Sequence, residues 1–234
     1  MSNIIKDFTS FARSKFGYGT AERIGDMVNG RGGFKNYISP TILEEHELHC
    51  SQMDIFSRLM KDRIIFLGSE IDDQCSNVIV SQLLYLDQSD PGRDVTLYIN
   101  SGGGGIYAGY GIIDTAQYIT SDVSTICTSL AASMAAVILS CGTKGKRKAL
   151  PRSRVMIHQP LQYGGGRGAT QASDLEISTR EILKLRKELY EILSEQSGQS
   201  IDKIQKDAER DFWMTAKEAL DYGLIDEIIT KKTK

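Results

Sequence analysis

The chain has 234 residues, of which 41% are hydrophobic and 25% charged, and its formal net charge at pH 7 is −2. This composition is typical of a globular protein with one sizeable core, so we expect one main domain and an appendage. The small net charge provides no long-range attraction for nucleic acid, and the longest apolar stretch, around 130–139, is too short to span a bilayer. We therefore expect neither a nucleic-acid partner nor a membrane role.

The first 36 residues differ from the rest of the chain. They begin with an amphipathic run at 4–11 and end in a glycine-rich stretch at 30–33. A removable pro-segment or docking tail is one interpretation, and a transit peptide is the other, which three acidic side chains in the segment disfavour. We favour a pro-segment outside the core.

From residue 53 onward, short β-branched runs alternate with helical periods. We predict strands at 63–67, 95–100, 124–128, 148–150, 155–158 and 225–229, and helices at 72–86, 106–119, 131–140 and 173–197. This alternation is typical of an α/β protein built from βαβ units.

The long helix at 173–197 has one apolar stripe at helical spacing. The stripe consists of Leu175, Ile182, Leu183, Leu189, Tyr190 and Leu193. It could pack on the chain's own core, or the helix could project beyond the glycine-rich stretch at 164–168 and bury the stripe against another copy. The sequence does not favour either alternative.

The cysteines and the basic residues have simple interpretations. Four cysteines, at positions 50, 75, 127 and 141, form no Cys-x-x-Cys pair, and the last three lie in apolar surroundings. Reduced thiols of this kind favour a cytoplasmic location. The basic cluster formed by Lys144, Lys146, Arg147 and Lys148 is local and short, and we expect a solvated turn there.

Ser133 lies among small apolar residues, in the sequence LAASMAA at 130–136. A serine at the start of a helix that follows a buried strand is held in a tight turn, with backbone N–H groups directed at an incoming anion. The alternative is that these small residues only allow two helices to approach closely. A base for the serine is available in His158, because the other two histidines lie in the charged stretch 44–49.

A glycine-rich loop at 102–105 follows the predicted strand 95–100. A phosphate-binding loop would require a Gly-x-x-x-x-Gly-Lys-Ser/Thr motif, which occurs nowhere in the chain, so we expect no bound nucleotide. Beside a serine at the end of the next strand, the loop fits an oxyanion hole for acyl transfer.

A third group should orient the imidazole. The aspartates that follow His158 are Asp174, Asp202, Asp207, Asp211, Asp221 and Asp226, and spacing does not choose among them. Only Asp211 is followed directly by apolar aromatic residues, Phe212 and Trp213, which predicts a partly buried carboxylate. A charge at a helix N-terminus is the alternative for Asp211.

Four ordered motifs, at 99–104, 131–136, 154–160 and 209–211, closely resemble those of the Clp protease proteolytic subunit, the ClpP family of serine peptidases. The resemblance runs from about residue 54 to 230. It implies a crotonase/ClpP-like α/β fold of repeated ββα units with a projecting long helix, the handle, at about 162–197. It also implies an axial N-terminal segment at 37–53, a peptidase domain at 54–234 and a mature start near 36–40.

The resemblance assigns roles to five residues. Ser133 would be the nucleophile, His158 the general base and Asp211 the orienting acid. The backbone N–H groups of Gly104 and Met134 would form the oxyanion hole. No metal or other cofactor is implied for this chain.

The resemblance also implies partners. Family members form two stacked seven-membered rings and receive unfolded polypeptides from an AAA+ ATPase, which uses the ATP, whereas short peptides are cleaved unaided. The matching positions for ATPase docking are Leu84, Tyr98 and Tyr118. For the two tyrosines, ordinary packing in the core is the alternative.

Two positions depart from the family pattern. Gly102 stands where the family usually has proline, so we expect a more mobile loop and a less preorganised oxyanion hole. The stretch 162–171 is longer than usual, in the segment where two rings meet in the family.

Two other classes of protein compete with a peptidase. Acyl-CoA hydratases and isomerases of the crotonase fold share the glycine-rich oxyanion hole but lack this serine and histidine pairing. A non-catalytic ring subunit is the second alternative, although all three triad positions are present here.

Overall fold

The computed structural model describes residues 41–46, 49–161 and 171–230. The chain divides after Ile55 into two units. In the first, β1 (Thr41–His46) and β2 (His49–Asp54) form an antiparallel pair. The extension predicted at 1–36 and the longer stretch at 162–170 lie outside the described residues.

The elements after this pair alternate between helices and strands. They are α1 (Ile55–Lys61), β3 (Ile64–Leu67), α2 (Asp73–Ser89), β4 (Val95–Ser101), α3 (Ile106–Tyr118), β5 (Val123–Ala132), α4 (Met134–Ser140), β6 (Arg147–Ala149), β7 (Arg154–Ile157), α5 (Ala172–Ser197), α6 (Ile201–Asp207), β8 (Phe212–Thr215), α7 (Ala216–Tyr222) and β9 (Glu227–Ile228). The predicted α/β class is confirmed. The pair β1–β2, the short helices α1, α6 and α7, and β8 are absent from the sequence-based prediction.

A seven-stranded sheet organises the second unit. Strands β3, β4, β5, β6 and β9 are neighbours in that order, and all of these pairs are parallel. β7 pairs in parallel with the end of β5 and antiparallel with β8. Because β5 is ten residues long, it pairs with β6 through its middle and with β7 through its last residues.

The core lies between the sheet and its helices. In β4, Val95, Leu97 and Ile99 are fully buried, and the two residues between them are partly buried. Burying each such side chain contributes about 1.5–3 kcal/mol. Ile112 of α3 and Leu139 of α4 are also fully buried in this core, which fixes the strand ends from which the site is built.

The helix predicted at 131–140 begins later than expected. Residues 131 and 132 belong to β5, and α4 starts at Met134. Small residues such as alanine favour a helix, but pairing with β7 satisfies the backbone of this segment in an extended conformation. The prediction was wrong at these residues because tertiary pairing outweighs intrinsic propensity.

The stripe on α5 divides into two parts. Leu175 and Leu183, in the N-terminal half, are exposed, whereas Leu189, Tyr190 and Leu193 are buried in the core. Packing on the chain's own core is therefore confirmed for the C-terminal half of the helix, and burial of the N-terminal half against another copy stays a prediction.

The basic cluster is not simply a solvated turn. Arg147 is buried and donates to Asp226, which also accepts from the backbone N–H of Gly145. Burial alone would raise the pKa of Asp226, but the hydrogen bonds from Arg147 outweigh it and hold that pKa below its usual range. The prediction was wrong for Arg147 because its carboxylate partner lies far away in sequence.

Cys75, Cys127 and Cys141 are free thiols, as expected. Cys127 and Cys141 are buried and Cys75 is half-buried. Burial raises the pKa of Cys141 to about 12, so this thiol is unreactive at neutral pH.

Candidate active site

Strands β5 and β7 bring the serine and the histidine to the same edge of the sheet. Ala132 is opposite Met156 in this parallel pair, and the backbone N–H of Ser133 donates to the carbonyl of Met156 at 2.8 Å. His158 directly follows β7. Because the carboxyl ends of parallel strands meet at one edge, Ser133 and His158 lie close together.

Strands β7 and β8 bring the aspartate to the same place. In this antiparallel pair Ile157 is opposite Phe212. One step further along the two strands, His158 is therefore opposite Asp211. The register of β7 with its two neighbours thus assembles residues that are far apart in the sequence.

Ser133 occupies a strained turn between β5 and α4. Its backbone has φ 55° and ψ −126°, and positive φ is uncommon for a residue other than glycine. Such strain is maintained only where the surrounding structure imposes it. A sharp strand-to-helix turn of this kind presents the serine hydroxyl above the sheet edge, as in the nucleophile elbow of hydrolases.

The three side chains form a continuous hydrogen-bonded chain. Ser133 Oγ lies 2.8 Å from His158 Nε2, and His158 Nδ1 lies 3.1 Å from Asp211 Oδ1. With the proton on Nδ1, the imidazole donates to the carboxylate and accepts the serine hydroxyl proton at Nε2. This arrangement can activate the serine as a nucleophile.

The predicted burial of Asp211 was wrong. Its side chain is 59% exposed, whereas that of His158 is 14% exposed. The neighbouring aromatic Trp213 faces solvent and leaves the carboxylate uncovered, because among the described strands β8 pairs only with β7 and lies at the edge of the sheet.

The other aspartates have different surroundings. Asp207 accepts from Lys203 and Tyr222, Asp221 pairs with Lys217, and Asp226 pairs with Arg147. Asp174 and Asp202 lie in the first turns of α5 and α6. Of the six aspartates considered, the structure brings only Asp211 to His158.

The glycine-rich loop at 102–105 is fixed on both sides by Ile71. The carbonyl of Gly103 accepts from Ile71 N–H at 2.9 Å, and Gly105 N–H donates to the carbonyl of Ile71 at 2.7 Å. At Gly104, φ is 155° and an added Cβ would lie 2.3 Å from the carbonyl oxygen of Ile71. Only glycine fits there without displacing the loop.

The loop also touches the turn that carries Ser133. A Cβ added to Gly103 would lie 2.7 Å from Ser133 Cβ and 3.0 Å from the backbone nitrogen of Met134. Met134 is the first residue of α4, so its N–H has no acceptor within the helix. Within the described residues, the N–H of Gly104 also has no protein acceptor.

A cleft of about 660 Å³ opens over these groups. Ser133, His158 and the glycine-rich loop line one part of it, and its walls are mainly apolar. Four wall residues were not predicted from the sequence, namely Val137, Met156, Leu189 and Leu193. The only signal for them was that Leu189 and Leu193 belong to the stripe on α5.

The candidate docking residues lie outside this cleft. Tyr118 is 80% exposed and Leu84 is also exposed, so neither belongs to the core. Tyr98 is partly buried and stacks on Phe66, with ring centroids 5.2 Å apart. Phe66 is itself exposed, and it also contacts Phe56 edge to face.

Two further observations concern cofactors and membranes. Within residues 41–46, 49–161 and 171–230, no group of three or more His, Cys, Asp or Glu side chains could hold a metal ion. No helix in the same ranges has the length and apolar character needed to cross a membrane.

A strained serine, an imidazole and a carboxylate beside unpaired backbone N–H groups define a hydrolase of the serine class on an α/β sheet. The family model described as Clp protease matches residues 46–232. The chain therefore belongs to the Clp protease family of serine peptidases, which confirms the resemblance and the predicted fold.

Curated relatives carry the same description, "ATP-dependent Clp protease proteolytic subunit". The protein from Porphyromonas gingivalis is 64% identical over 199 residues, which cover 85% of this chain and 88% of the relative. Proteins from Bacteroides fragilis and Bacteroides thetaiotaomicron are 56% and 54% identical over 226 residues, which cover 97% of this chain and 99% of each relative. These matches favour a peptidase over an acyl-CoA hydratase.

Proposed function

We propose that this chain is the proteolytic subunit of an ATP-dependent Clp protease, an endopeptidase that uses Ser133, His158 and Asp211 as its catalytic triad. The observation that carries the proposal is the 2.8 Å distance between Ser133 Oγ and His158 Nε2, at a turn with positive φ. Membership in a serine peptidase family supports the same assignment.

The reaction follows from this geometry. Ser133 Oγ attacks the peptide carbonyl while His158 Nε2 takes the hydroxyl proton. The carboxylate of Asp211 accepts a hydrogen bond from Nδ1–H and stabilises the imidazolium that forms. His158 then protonates the leaving amine, and the same base activates a water molecule that hydrolyses the acyl-enzyme and frees Ser133.

The oxyanion of the tetrahedral intermediate would bind to the N–H groups of Gly104 and Met134. In the part of the chain that the structure describes, neither group has a protein acceptor, and their segments touch each other through Gly103. Donors that are already in place stabilise developing charge without reorganisation in the transition state, which is why a fixed glycine-rich loop is useful here.

The cleft walls indicate the side chains that substrates present. Met156, Leu189 and Leu193 would surround the substrate residue next to the scissile bond. Removing an apolar side chain from water is favourable, whereas a charged side chain would lose hydration without a partner. An apolar residue before the cleaved bond is therefore preferred.

The assembly would consist of two stacked seven-membered rings that receive unfolded polypeptides from an AAA+ ATPase. The relatives are described as ATP-dependent, while this chain has no nucleotide-binding loop, which supports a division of labour. Exposed Leu175 and Leu183 on α5 would supply an apolar face for ring pairing, and Leu84 and Tyr118 would supply an apolar surface for docking.

The remaining assignments complete the proposal. Residues 1–36 are a pro-segment, 37–53 an axial segment and 54–234 the peptidase domain, which needs no cofactor of its own. Bacterial relatives and free thiols in the described residues support a cytoplasmic enzyme.

Hydrolysis of a short fluorogenic peptide with an apolar residue before the cleaved bond tests the proposal, because peptides need no ATPase. Wild type is compared with Ser133→Ala and with Ser129→Ala, which removes an exposed serine from the same strand. We expect hydrolysis by wild type and Ser129→Ala and its loss in Ser133→Ala. Equal activity in all three would mean a wrong nucleophile, and inactivity of assembled wild type would indicate a non-catalytic ring subunit.

A further inference from the structure

Ser101 is the last residue of β4 and directly precedes the glycine-rich loop at 102–105. Only 4% of its surface is exposed. Its hydroxyl donates to the carbonyl of Ser69 at 2.5 Å and accepts from the backbone N–H of Gly103 at 3.1 Å. One buried side chain thus connects the glycine-rich loop to the segment between β3 and α2.

These bonds decide which N–H group of the loop remains available. The N–H of Gly103 is taken by Ser101, and that of Gly105 is taken by the carbonyl of Ile71. Between them, the N–H of Gly104 has no protein acceptor within the described residues. The N–H of Gly102, at the start of the loop, is also free in the described residues, but only the free N–H of Gly104 lies between two peptides that are fixed by hydrogen bonds.

The connections to Ile71 and to Ser101 differ in kind. Those to Ile71 involve only backbone atoms and are independent of side chains. The connection through Ser101 depends on a single hydroxyl, which holds the loop at the residue immediately before Gly104. Removing that hydroxyl would leave the Gly103 N–H and the Ser69 carbonyl without this partner.

We infer that Ser101 is a positioning residue for the oxyanion hole: its hydroxyl fixes the peptide of Gly103 so that the N–H of Gly104 points at the reacting carbonyl. This inference rests on the proposed peptidase function. Ser101 touches no reacting atom and acts through the loop. A displacement of about 1 Å in a catalytic group can reduce a rate by about 100-fold.

Gly102 offers an independent way to restrain the same loop. Its φ lies outside the left-handed region, an added Cβ would meet nothing within 4 Å, and its N–H has no acceptor in the described residues. A proline at 102 would fix φ without losing a hydrogen bond. The residue before a proline favours an extended backbone, and Ser101 already has one as the last residue of β4. Gly102→Pro should therefore compensate for the loss of the Ser101 hydroxyl.

The experiment measures kcat and KM for peptide hydrolysis by Ser101→Ala in the assembled full-length protein. Ser76→Ala is the matched control, because Ser76 is also buried and its hydroxyl donates to the carbonyl of Ala108, away from the cleft. We expect kcat of Ser101→Ala to fall about 10- to 100-fold with KM within about twofold of wild type. Ser76→Ala should lower the melting temperature and keep kcat.

Two further measurements separate positioning from a general structural role. The inhibition constant of a peptide aldehyde, which forms a tetrahedral adduct with a serine nucleophile, should rise in Ser101→Ala by the same factor as kcat/KM falls. Adding Gly102→Pro should restore kcat of Ser101→Ala at least threefold, and should raise kcat of the wild type by less. Ser101→Cys, which retains the size of the side chain but bonds weakly, should give an intermediate kcat.

The possible outcomes are distinguishable. If Ser101→Ala, or Ser101→Cys where the alanine variant does not fold, has the wild-type kcat, the inference is wrong. A loss of kcat that Ser76→Ala shares, or that Gly102→Pro does not restore, would also overturn it by indicating a general structural effect. Absence of Ser133-dependent hydrolysis in wild type would instead overturn the proposed function, and the inference with it.

Discussion

His158 Nδ1 lies 3.1 Å from Asp211 Oδ1, although 53 positions separate the two residues in the chain. The antiparallel pairing of β7 with β8 sets this distance. Ile157 is opposite Phe212, so the next residue, His158, is opposite Asp211, which precedes Phe212. Although the side chain of Asp211 is exposed, the strand register therefore holds its carboxylate beside the imidazole.

Asp211→Asn tests the role of this carboxylate. An amide in its place can hold the imidazole in the wrong tautomer, so we expect kcat to fall by about 100- to 10,000-fold with little change in KM. Peptide hydrolysis measures the effect. Asp202→Asn, in the first turn of α6, is the control and should keep wild-type rates. A rate for Asp211→Asn within threefold of wild type would argue against an orienting role.

Gly104→Ala tests the close approach of the glycine-rich loop to Ile71. The added Cβ would lie 2.3 Å from the Ile71 carbonyl oxygen at a φ of 155°, so the loop must move. We expect kcat to fall at least about 100-fold, as for the loss of an oxyanion donor. Gly68→Ala is the control, because a Cβ there meets nothing within 4 Å. Similar rates for both variants would mean that the loop does not set the oxyanion hole.

Asp226→Asn tests the contribution of the buried pair with Arg147. Because the pKa of Asp226 is lowered in the folded protein, this stability is complete above its unfolded pKa of about 4 and is lost as pH falls through the folded value. Asp226 is 22% exposed, so we expect the variant to lose about 1–3 kcal/mol at pH 7, less than for a fully buried pair.

Chemical denaturation between pH 7 and pH 2 measures this effect. The free energy of unfolding of wild type should fall towards that of Asp226→Asn as the pH decreases. Asp221→Asn removes an exposed partner of Lys217 and should change stability by at most a few tenths of a kcal/mol. A constant difference between wild type and Asp226→Asn down to pH 2 would contradict the lowered pKa.

Leu183→Lys tests the exposed half of α5. Leu183 is exposed in the described chain, so a lysine there should not destabilise the subunit, but it would place charge in the proposed contact between rings. We expect sedimentation to give half the mass of the wild-type assembly at an unchanged melting temperature. Ile177→Lys, also at an exposed apolar position but on the opposite side of the helix from Leu175 and Leu183, should retain the full assembly. Full assembly of Leu183→Lys would mean that this face is not the ring contact.

Much of the central fold follows from the sequence pattern, because apolar periodicity is strong there. The predicted strand at 95–100 and helix at 106–119 differ from β4 and α3 by only one residue at one end. The helix predicted to include residues 131 and 132 was wrong, since pairing of β5 with β7 outweighs the helical preference of alanine. β8 was not predicted, because its four residues show no clear alternation of apolar and polar side chains. They form a strand by pairing with β7.

For the site, the serine and the histidine could be proposed from local sequence, but the aspartate could not. Spacing left six aspartates open, and the criterion that favoured Asp211, burial beside aromatic residues, does not hold for its exposed side chain. The family resemblance pointed to Asp211, and Asp211 is the residue that the strand register brings to His158. The residues that form the wall of the cleft could be identified only from the structure, because Leu189 and Leu193 come from a helix far along the chain.

Covalent labelling by a fluorophosphonate, located by mass spectrometry of the digested protein, tests the central claim that Ser133 is an activated nucleophile. We predict stoichiometric labelling of Ser133 in the assembled wild type, and labelling at least about 100-fold slower in His158→Ala, because the general base is absent. Labelling of a different serine, or labelling of Ser133 at the same rate in His158→Ala, would contradict the account.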